Sequence, residues 1–172
     1  LHLGLPGLHE QMDEPWNGDP SGWVTVLKGA RAAGIKTNLE MCSLPAPRLL
    51  EVVAPCLGHL DYLIINDFEV AALSQRPIRH GEDVDLRDCL ANAKDVFDRS
   101  SVELLVVHFP RGAIAMQRGA DPLVTQSVAV PKEAIAGSNG AGDAFASGIL
   151  YGMHEGWPLH DAVSYTHLRA HE

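Results

Sequence analysis

The strongest chemical signal in this sequence is a glycine-rich segment that ends in a carboxylate. Gly140, Ala141 and Gly142 stand directly before Asp143, and an apolar stretch follows. This order predicts a helix whose first backbone N–H groups lack helical partners and attract an anion. A carboxylate beside them can take a proton from an alcohol. The segment therefore indicates a phosphate site next to a general base.

A second polar pair follows an apolar run. Residues 62–65 predict a buried strand, and Asn66 and Glu69 come directly after it. The carboxyl ends of parallel strands are where α/β sheets bind ligands. Taken by itself, the pair is better explained as a helix cap. Only its combination with the glycine segment favours a role in ligand binding.

A third segment follows residues 104–107, which also predict a buried strand. His108 at its end could hydrogen-bond a phosphate or a ribose, and Arg111 could add positive charge. A lone histidine at a strand end is more often structural. This residue alone therefore does not indicate a site.

The glycine segment resembles the ribokinase (PfkB-like) family, whose signature near the C-terminus reads D-T-x-G-A-G-D-x-F-x-x-G. Residues 140–143, Phe145 and Gly148 match it. Gly137 and Ser138 replace the leading Asp-Thr pair, so the acidic residue is absent while Ser138 keeps a hydroxyl. The resemblance implies that Asp143 is the general base and that Gly140, Ala141 and Gly142 form the anion hole.

The other two segments resemble the same family less completely. Asn66 and Glu69 match its N-x-x-E motif, which implies that they position Mg²⁺ through water. Of the family's T-x-G-x-x-G turn, the segment 108–112 keeps only the later glycine. The resemblance implies a nucleotide site built from Asn66, Glu69, His108, Gly112, Ser138 and Asn139.

The activity that the resemblance implies is phosphoryl transfer from ATP, with Mg²⁺, to a hydroxyl of a sugar or sugar-like molecule. Two alternatives stay open at this point. One is a nucleoside kinase that acts on an adenosine-like acceptor, and the other is a nucleotide-binding module without catalysis. Because a fold supports many functions, the family alone does not name the acceptor.

The composition limits the kinds of molecule and surface that this chain is expected to bind. The chain has 13 Lys and Arg against 22 Asp and Glu, a net charge of -9, which argues against a nucleic-acid or anionic-membrane surface. Three widely spaced cysteines offer neither a zinc pattern nor a disulfide framework, which favours a reducing cytoplasm. No apolar stretch is long enough to span a bilayer. A homodimer of the complete protein is compatible with the family.

Periodicity predicts helices that alternate with short apolar strands, typical of a mostly parallel sheet. The resemblance makes this a ribokinase-like three-layer α/β/α fold, incomplete at both ends. In the first helix, capped by Ser21 and closed by Gly34, the expected apolar face is Trp23, Val26, Leu27, Ala30 and Ala33. The other expected elements are a strand at 36–40, helices at 49–56 and 86–97, and a hairpin of 112–117 with 123–130.

The expected domain organisation is one incomplete kinase domain. Residues 1–163 are taken as the C-terminal part of that domain, and residues 164–172 as a tail that is not native. In the family, the N-terminal half supplies most contacts to the acceptor. We therefore expect the chain alone to be inactive or nearly so.

Overall fold

The computed structural model describes residues 1–79, 84–127 and 140–169, with side chains described as far as Ser164. Within these residues, six strands form one sheet in the order in which they occur along the chain. The first four strands run parallel to one another, and each of the last two strands runs antiparallel to the strand before it. The strands are β1 (His2–Leu3), β2 (Asn38–Leu39), β3 (Tyr62–Asn66), β4 (Leu104–Phe109), β5 (Gly112–Gln117) and β6 (Leu123–Gln126). The expectation of a mostly parallel sheet is confirmed.

Helices cover both faces of the sheet. The described helices are α1 (Glu10–Asp13), α2 (Gly22–Ala32), α3 (Ala46–Val53), α4 (Asp67–Ser74), α5 (Leu86–Arg99), α6 (Ala141–His154) and α7 (Leu159–Arg169). A 3₁₀ helix, Ala54–His59, continues from α3. None of these helices is long and apolar enough to cross a membrane.

Side chains of alternate strand residues point to opposite faces of the sheet and enter two separate apolar cores. Leu63, Ile65 and Leu105 point into the larger core, which α2 to α5 close. Ile64 and Leu104 point into the smaller core, which α6 and α7 close. The fold therefore has three layers, and the sheet is the middle one.

The first long helix begins and ends where the sequence predicts. The Ser21 hydroxyl accepts a hydrogen bond from the Val24 N–H at 3.3 Å, and Gly34 follows the helix with a φ of 73°. The predicted apolar face is wrong at two positions, because Val26 and Ala33 are exposed. They lie beyond the edge of the arc that faces the sheet, and Val24 takes part in the core instead.

The remaining expected elements form with shifted bounds. The strand expected at 36–40 has only two residues in β2, and the helix expected at 49–56 begins at Ala46 and tightens into the 3₁₀ helix near Pro55, which has no N–H to donate. Helix α5 and the β5–β6 hairpin are confirmed, and Gly119 has a φ of 80° in the hairpin turn. Residues 128–130 of the expected hairpin lie outside the described residues.

Candidate active site

A cleft of about 190 Å³ lies at the carboxyl ends of β2, β3 and β4, against the first turn of α6. Its lining includes five residues that the sequence analysis selected: Asn66, Glu69, His108, Gly142 and Asp143. They come from four different elements and are up to 77 residues apart in the chain. The parallel topology brings them together, because successive parallel strands end on the same side of a sheet.

The first turn of α6 presents backbone N–H groups toward this cleft. Gly140 precedes the helix with φ 79° and ψ 0°, in the left-handed region that favours glycine. Its carbonyl accepts the first helical hydrogen bond, from the Ala144 N–H at 2.9 Å. The N–H groups of Ala141 and Gly142 precede that bond and have no acceptor within the helix. Their position fits the binding of an anion.

Gly142 faces the end of β4. A Cβ on this residue would lie 3.6 Å from Cε1 and 3.7 Å from Nε2 of His108, which is ordinary contact. The fold itself therefore tolerates a methyl group here. A methyl group on Gly142 would instead occupy space inside the cleft, next to the N-terminus of α6.

Asp143 lies in the first turn of α6 with an exposed side chain, so it is not sealed in the interior. Its carboxyl group lies against that of Glu40. Burial raises the pKa of Glu40, the neighbouring Asp143 raises it further, and His2 acts in the opposite direction. The cleft thus holds the Asp143 carboxyl group close enough to Glu40 to raise the pKa of Glu40.

Asn66 and Glu69 form a capping box at the start of α4. The Asn66 Oδ1 accepts from the Glu69 N–H at 2.9 Å, and the Glu69 Oε2 accepts from the Asn66 N–H at 2.9 Å. Burial raises the pKa of Glu69, and the hydrogen bond from Asn66 offsets part of that rise. The pair therefore caps a helix and also lines the cleft.

Asn66 and Glu69 offer oxygen atoms that fit a Mg²⁺ ion bound mainly through water. Among the described residues, no group of three or more His, Cys, Asp or Glu side chains lies close enough to hold a metal ion. However, Glu40 and Asp143 both line the cleft with Glu69, and Glu40 contributes to the raised pKa of Glu69. This excess of negative charge would be relieved by a cation bound through water.

The residues expected to bind the nucleotide do not all line the cleft. The His108 ring packs against Phe145 with ring centroids 5.0 Å apart, and it lines the cleft. Gly112 does not line the cleft. It begins β5, where a Cβ would collide with the backbone oxygen of Thr125 on β6, so its small size serves the hairpin. Ser138 and Asn139 lie outside the described residues.

The sequence analysis missed one wall of the cleft, the segment that follows β2. This wall consists of Glu40, Met41, Cys42 and Ser43. The Cys42 Sγ donates to the Pro6 carbonyl at 3.5 Å, and burial raises the pKa of this thiol. The rule that selected Asn66, a polar residue directly after a parallel strand, would also have selected Glu40. Glu40 was missed because the expected strand, 36–40, included it, whereas β2 ends at Leu39.

Comparison with known proteins places this geometry in a family. The model of the pfkB family carbohydrate kinase matches residues 18–171. The adenosine kinase of Schizosaccharomyces pombe is 30% identical over 150 residues, which cover 83% of this chain and 43% of that protein. The acarbose 7(IV)-phosphotransferase of Actinoplanes sp. is 35% identical over 81 residues, or 46% of this chain and 27% of that protein.

Solved structures agree on the fold. The ribokinase of Arabidopsis thaliana, complexed with ribose and ATP, superposes with a TM-score of 0.68 at 17% identity and covers 86% of this chain. The PfkB protein of Polaromonas sp. JS666 superposes with a TM-score of 0.72 at 15% identity and covers 99%. This chain spans 44% and 52% of those two proteins, and less than half of the curated relatives named above. It belongs to the pfkB family of carbohydrate kinases.

Proposed function

We propose that this chain supplies the phosphate-binding and proton-accepting part of an ATP-dependent kinase that phosphorylates a hydroxyl of a sugar or sugar-like molecule. One observation carries the proposal: Asp143 lies at the N-terminus of α6, in the same cleft as Asn66 and Glu69. A general base, an anion site and a pair of oxygen ligands then face one space. That combination suits phosphoryl transfer, which depends mainly on positioning and electrostatics.

In the proposed reaction, Asp143 accepts the proton of the acceptor hydroxyl. That oxygen forms a bond to the γ-phosphorus of ATP, the bond from this phosphorus to the bridging oxygen breaks, and ADP leaves. The N–H groups of Gly140, Ala141 and Gly142 stabilise the negative charge on the transferred group.

Asn66 and Glu69 are the residues that would hold Mg²⁺, through water. The ion would neutralise charge on the phosphates. His108 lies opposite Gly142 and is proposed to hydrogen-bond the nucleotide, together with Ser138 and Asn139. Gly112 is not included in the proposed nucleotide site, because the close approach of β6 in the hairpin already explains why this residue lacks a side chain.

Replacement of Asp143 tests the proposed base. In the complete enzyme, Asp143→Asn is expected to lower kcat by about 10² to 10⁴, the usual contribution of a general base. Folding should be little changed, because the side chain is exposed. Asp98→Asn is the matched control, since Asp98 is an exposed carboxylate on α5 that forms an ion pair with Lys94 on the same helix. Near-normal turnover by the Asp143 variant would show that another group takes the proton.

A nucleoside acceptor is the second candidate. The adenosine kinases of Arabidopsis thaliana and Schizosaccharomyces pombe match 76% and 83% of this chain, whereas the acarbose phosphotransferase matches 46%. Steady-state kinetics of the complete enzyme with adenosine and with a panel of sugars would distinguish them. The preferred acceptor is the one with the higher kcat/KM.

A further inference from the structure

An apolar groove lies on the surface of the helical layer, between α3 and α4. Its volume is about 580 Å³, within the range of pockets that hold small organic molecules. Leu50 of α3 and Ala71 and Ala72 of α4 form its half-buried part. The groove shares no lining residue with the cleft that contains Asp143. It is therefore a separate cavity.

The dimensions of the groove follow from the two helices that form it. Helices α3 and α4 are in contact, and the short side chains of Ala71 and Ala72 leave space between their outer faces unfilled. Each helix has eight residues, which corresponds to a length of about 12 Å. A short alkyl chain or a small ring system therefore fits the length of the groove.

One end of the groove carries a positive charge on a fixed backbone. Arg76 follows Gln75, the left-handed residue that ends α4, and the Arg76 N–H donates to the Ala71 carbonyl at 3.2 Å. The Arg76 carbonyl accepts a hydrogen bond from Nδ2 of Asn92, a buried residue on α5, at 2.8 Å. These two hydrogen bonds hold the backbone of Arg76 at the rim, so its side chain starts from a defined position.

The Arg76 guanidinium is held loosely by the protein. Its Nη2 lies 3.9 Å from the Asp95 Oδ1, which is beyond hydrogen-bonding distance, and the Arg76 side chain is 61% exposed. The other oxygen of Asp95 accepts from Arg99 at 2.7 Å. An exposed pair with such a separation contributes little to stability. A carboxylate placed in the groove could accept two N–H groups of Arg76 at once, which is the stronger arrangement.

We propose that this groove binds a small amphipathic carboxylate, with its apolar body between α3 and α4 and its carboxylate group on Arg76. Among the described residues that line the groove, Arg76 alone is charged, and all the others except Gln75 are apolar. A neutral apolar molecule would leave the guanidinium unused, and a nucleotide or a sugar phosphate lacks the apolar body. Because the groove and the cleft are separate, the proposal does not depend on the role of Asp143.

Octanoate and 1-octanol test the two parts of the ligand, because they have the same chain length and differ in the charge of the head group. In calorimetric titrations of the complete enzyme, we expect octanoate to bind about tenfold or more tightly than 1-octanol. Saturation with ATP and Mg²⁺ should leave the affinity for octanoate unchanged. Equal affinities for the two molecules, no binding of octanoate, or its displacement by ATP would overturn the proposal.

Replacement of Arg76 tests where the carboxylate binds. Arg76→Gln removes the charge and should weaken octanoate binding by about tenfold or more, while the affinity for 1-octanol stays the same. Arg87→Gln is the matched control, because Arg87 is exposed on α5 and does not line the groove. This control should bind octanoate as the wild type does. Wild-type affinity in Arg76→Gln, or an equal loss in both variants, would refute binding of the carboxylate by Arg76.

Filling the groove tests where the apolar body binds. Ala72→Leu places a larger side chain on the α4 wall and should weaken octanoate and 1-octanol alike, by about tenfold. Ala46→Leu fills the groove from the exposed start of α3, away from the core, and serves if the first variant melts at a lower temperature than the wild type. Wild-type affinity for octanoate in a folded variant of either kind would show that the chain binds outside this groove.

Discussion

At the scale of single residues, Glu69 shows how one side chain combines a structural and a chemical property. Its Oε2 caps the first turn of α4 through the Asn66 N–H. The same carboxyl group lines the cleft, and burial raises its pKa above the ordinary value of 4.5. A cap needs only an acceptor, and glutamine can provide one as well. The charge is therefore not required by the helix, which leaves it available for a function such as cation binding.

This separation predicts the behaviour of Glu69→Gln. A carboxyl group with a raised pKa in the folded state contributes stability that is complete below its unfolded pKa and is lost as pH rises through its folded pKa. We therefore expect wild-type stability to fall as pH rises from about 4.5, and the variant to show a shallower fall with equal or higher stability at pH 7. Thermal unfolding from pH 4 to 8 would measure both.

Glu69→Ala is the control, because it removes the acceptor as well as the charge and should destabilise α4. If the glutamine variant were as unstable as the alanine variant at pH 7, the charge itself would be what the cap needs. Addition of Mg²⁺ and ATP should raise the melting temperature of the wild type more than that of Glu69→Gln.

Gly142 offers a test of the anion site that leaves the fold intact. The added methyl group of Gly142→Ala would meet only the His108 ring, at ordinary contact distance, so stability should change little. The same group would occupy the space in front of the helix N–H groups. We expect affinity for ATP with Mg²⁺ to fall by tenfold or more, about 1.4 kcal/mol, in a calorimetric titration. Unchanged affinity would mean that the phosphate lies elsewhere.

At the scale of helices and strands, polar residues directly after parallel strands were the useful signal in the sequence. The rule selected Asn66 and His108, because β3 and β4 have five and six residues with obvious apolar runs. It failed at Glu40, because the expected strand, 36–40, included this residue, whereas β2 ends at Leu39. The end of so short a strand is set by its pairing with β1 and β3, and such long-range contacts are not contained in a local pattern.

The pairing of α6 with α7 yields a prediction about Gly152. A Cβ on this residue would lie 2.8 Å from the Ala162 Cβ, closer than real side chains pack, and 3.1 Å from the Trp157 Cε3, which is also a tight contact. Gly152→Ala should therefore force the helices apart and cost about 1–3 kcal/mol of unfolding free energy. Chemical denaturation measures this cost directly.

Gly29 provides the matched control, because it lies inside α2 and a Cβ there would meet nothing within 4 Å. Gly29→Ala should stabilise the fold by roughly 0.5–1 kcal/mol, since alanine loses less backbone entropy than glycine in a helix. Opposite signs for the two substitutions would establish that contact with α7, and not helix propensity, decides the effect at Gly152. If both substitutions stabilised the chain, the close packing of α6 on α7 would be wrong.

At the scale of the whole molecule, apolar runs sufficed to predict a mostly parallel sheet, and the topology of parallel strands sufficed to predict the cleft, whereas the three-layer architecture was implied by the family resemblance. The sequence also indicated that Asn66 and Glu69 cap a helix, but it could not supply the hydrogen bond between His2 and Glu40, which depends on side-chain geometry. The chain also spans less than half of the curated relatives it matches.

Because the chain spans less than half of its curated relatives, we make a separate prediction for the chain by itself. Its described cleft contains the proposed base and anion site, with Asp143 exposed to solvent. We therefore expect the purified chain to bind ATP with Mg²⁺ weakly and to release no ADP in response to sugars or adenosine, because positioning of the acceptor supplies much of the rate in such reactions. Calorimetry and a coupled ADP assay would measure the two properties on one preparation. The Asp143→Asn chain should bind ATP no less tightly than the wild type, since the base contacts the acceptor. Acceptor-dependent ADP release by the isolated chain would mean that these residues already hold the alcohol in line with the phosphate.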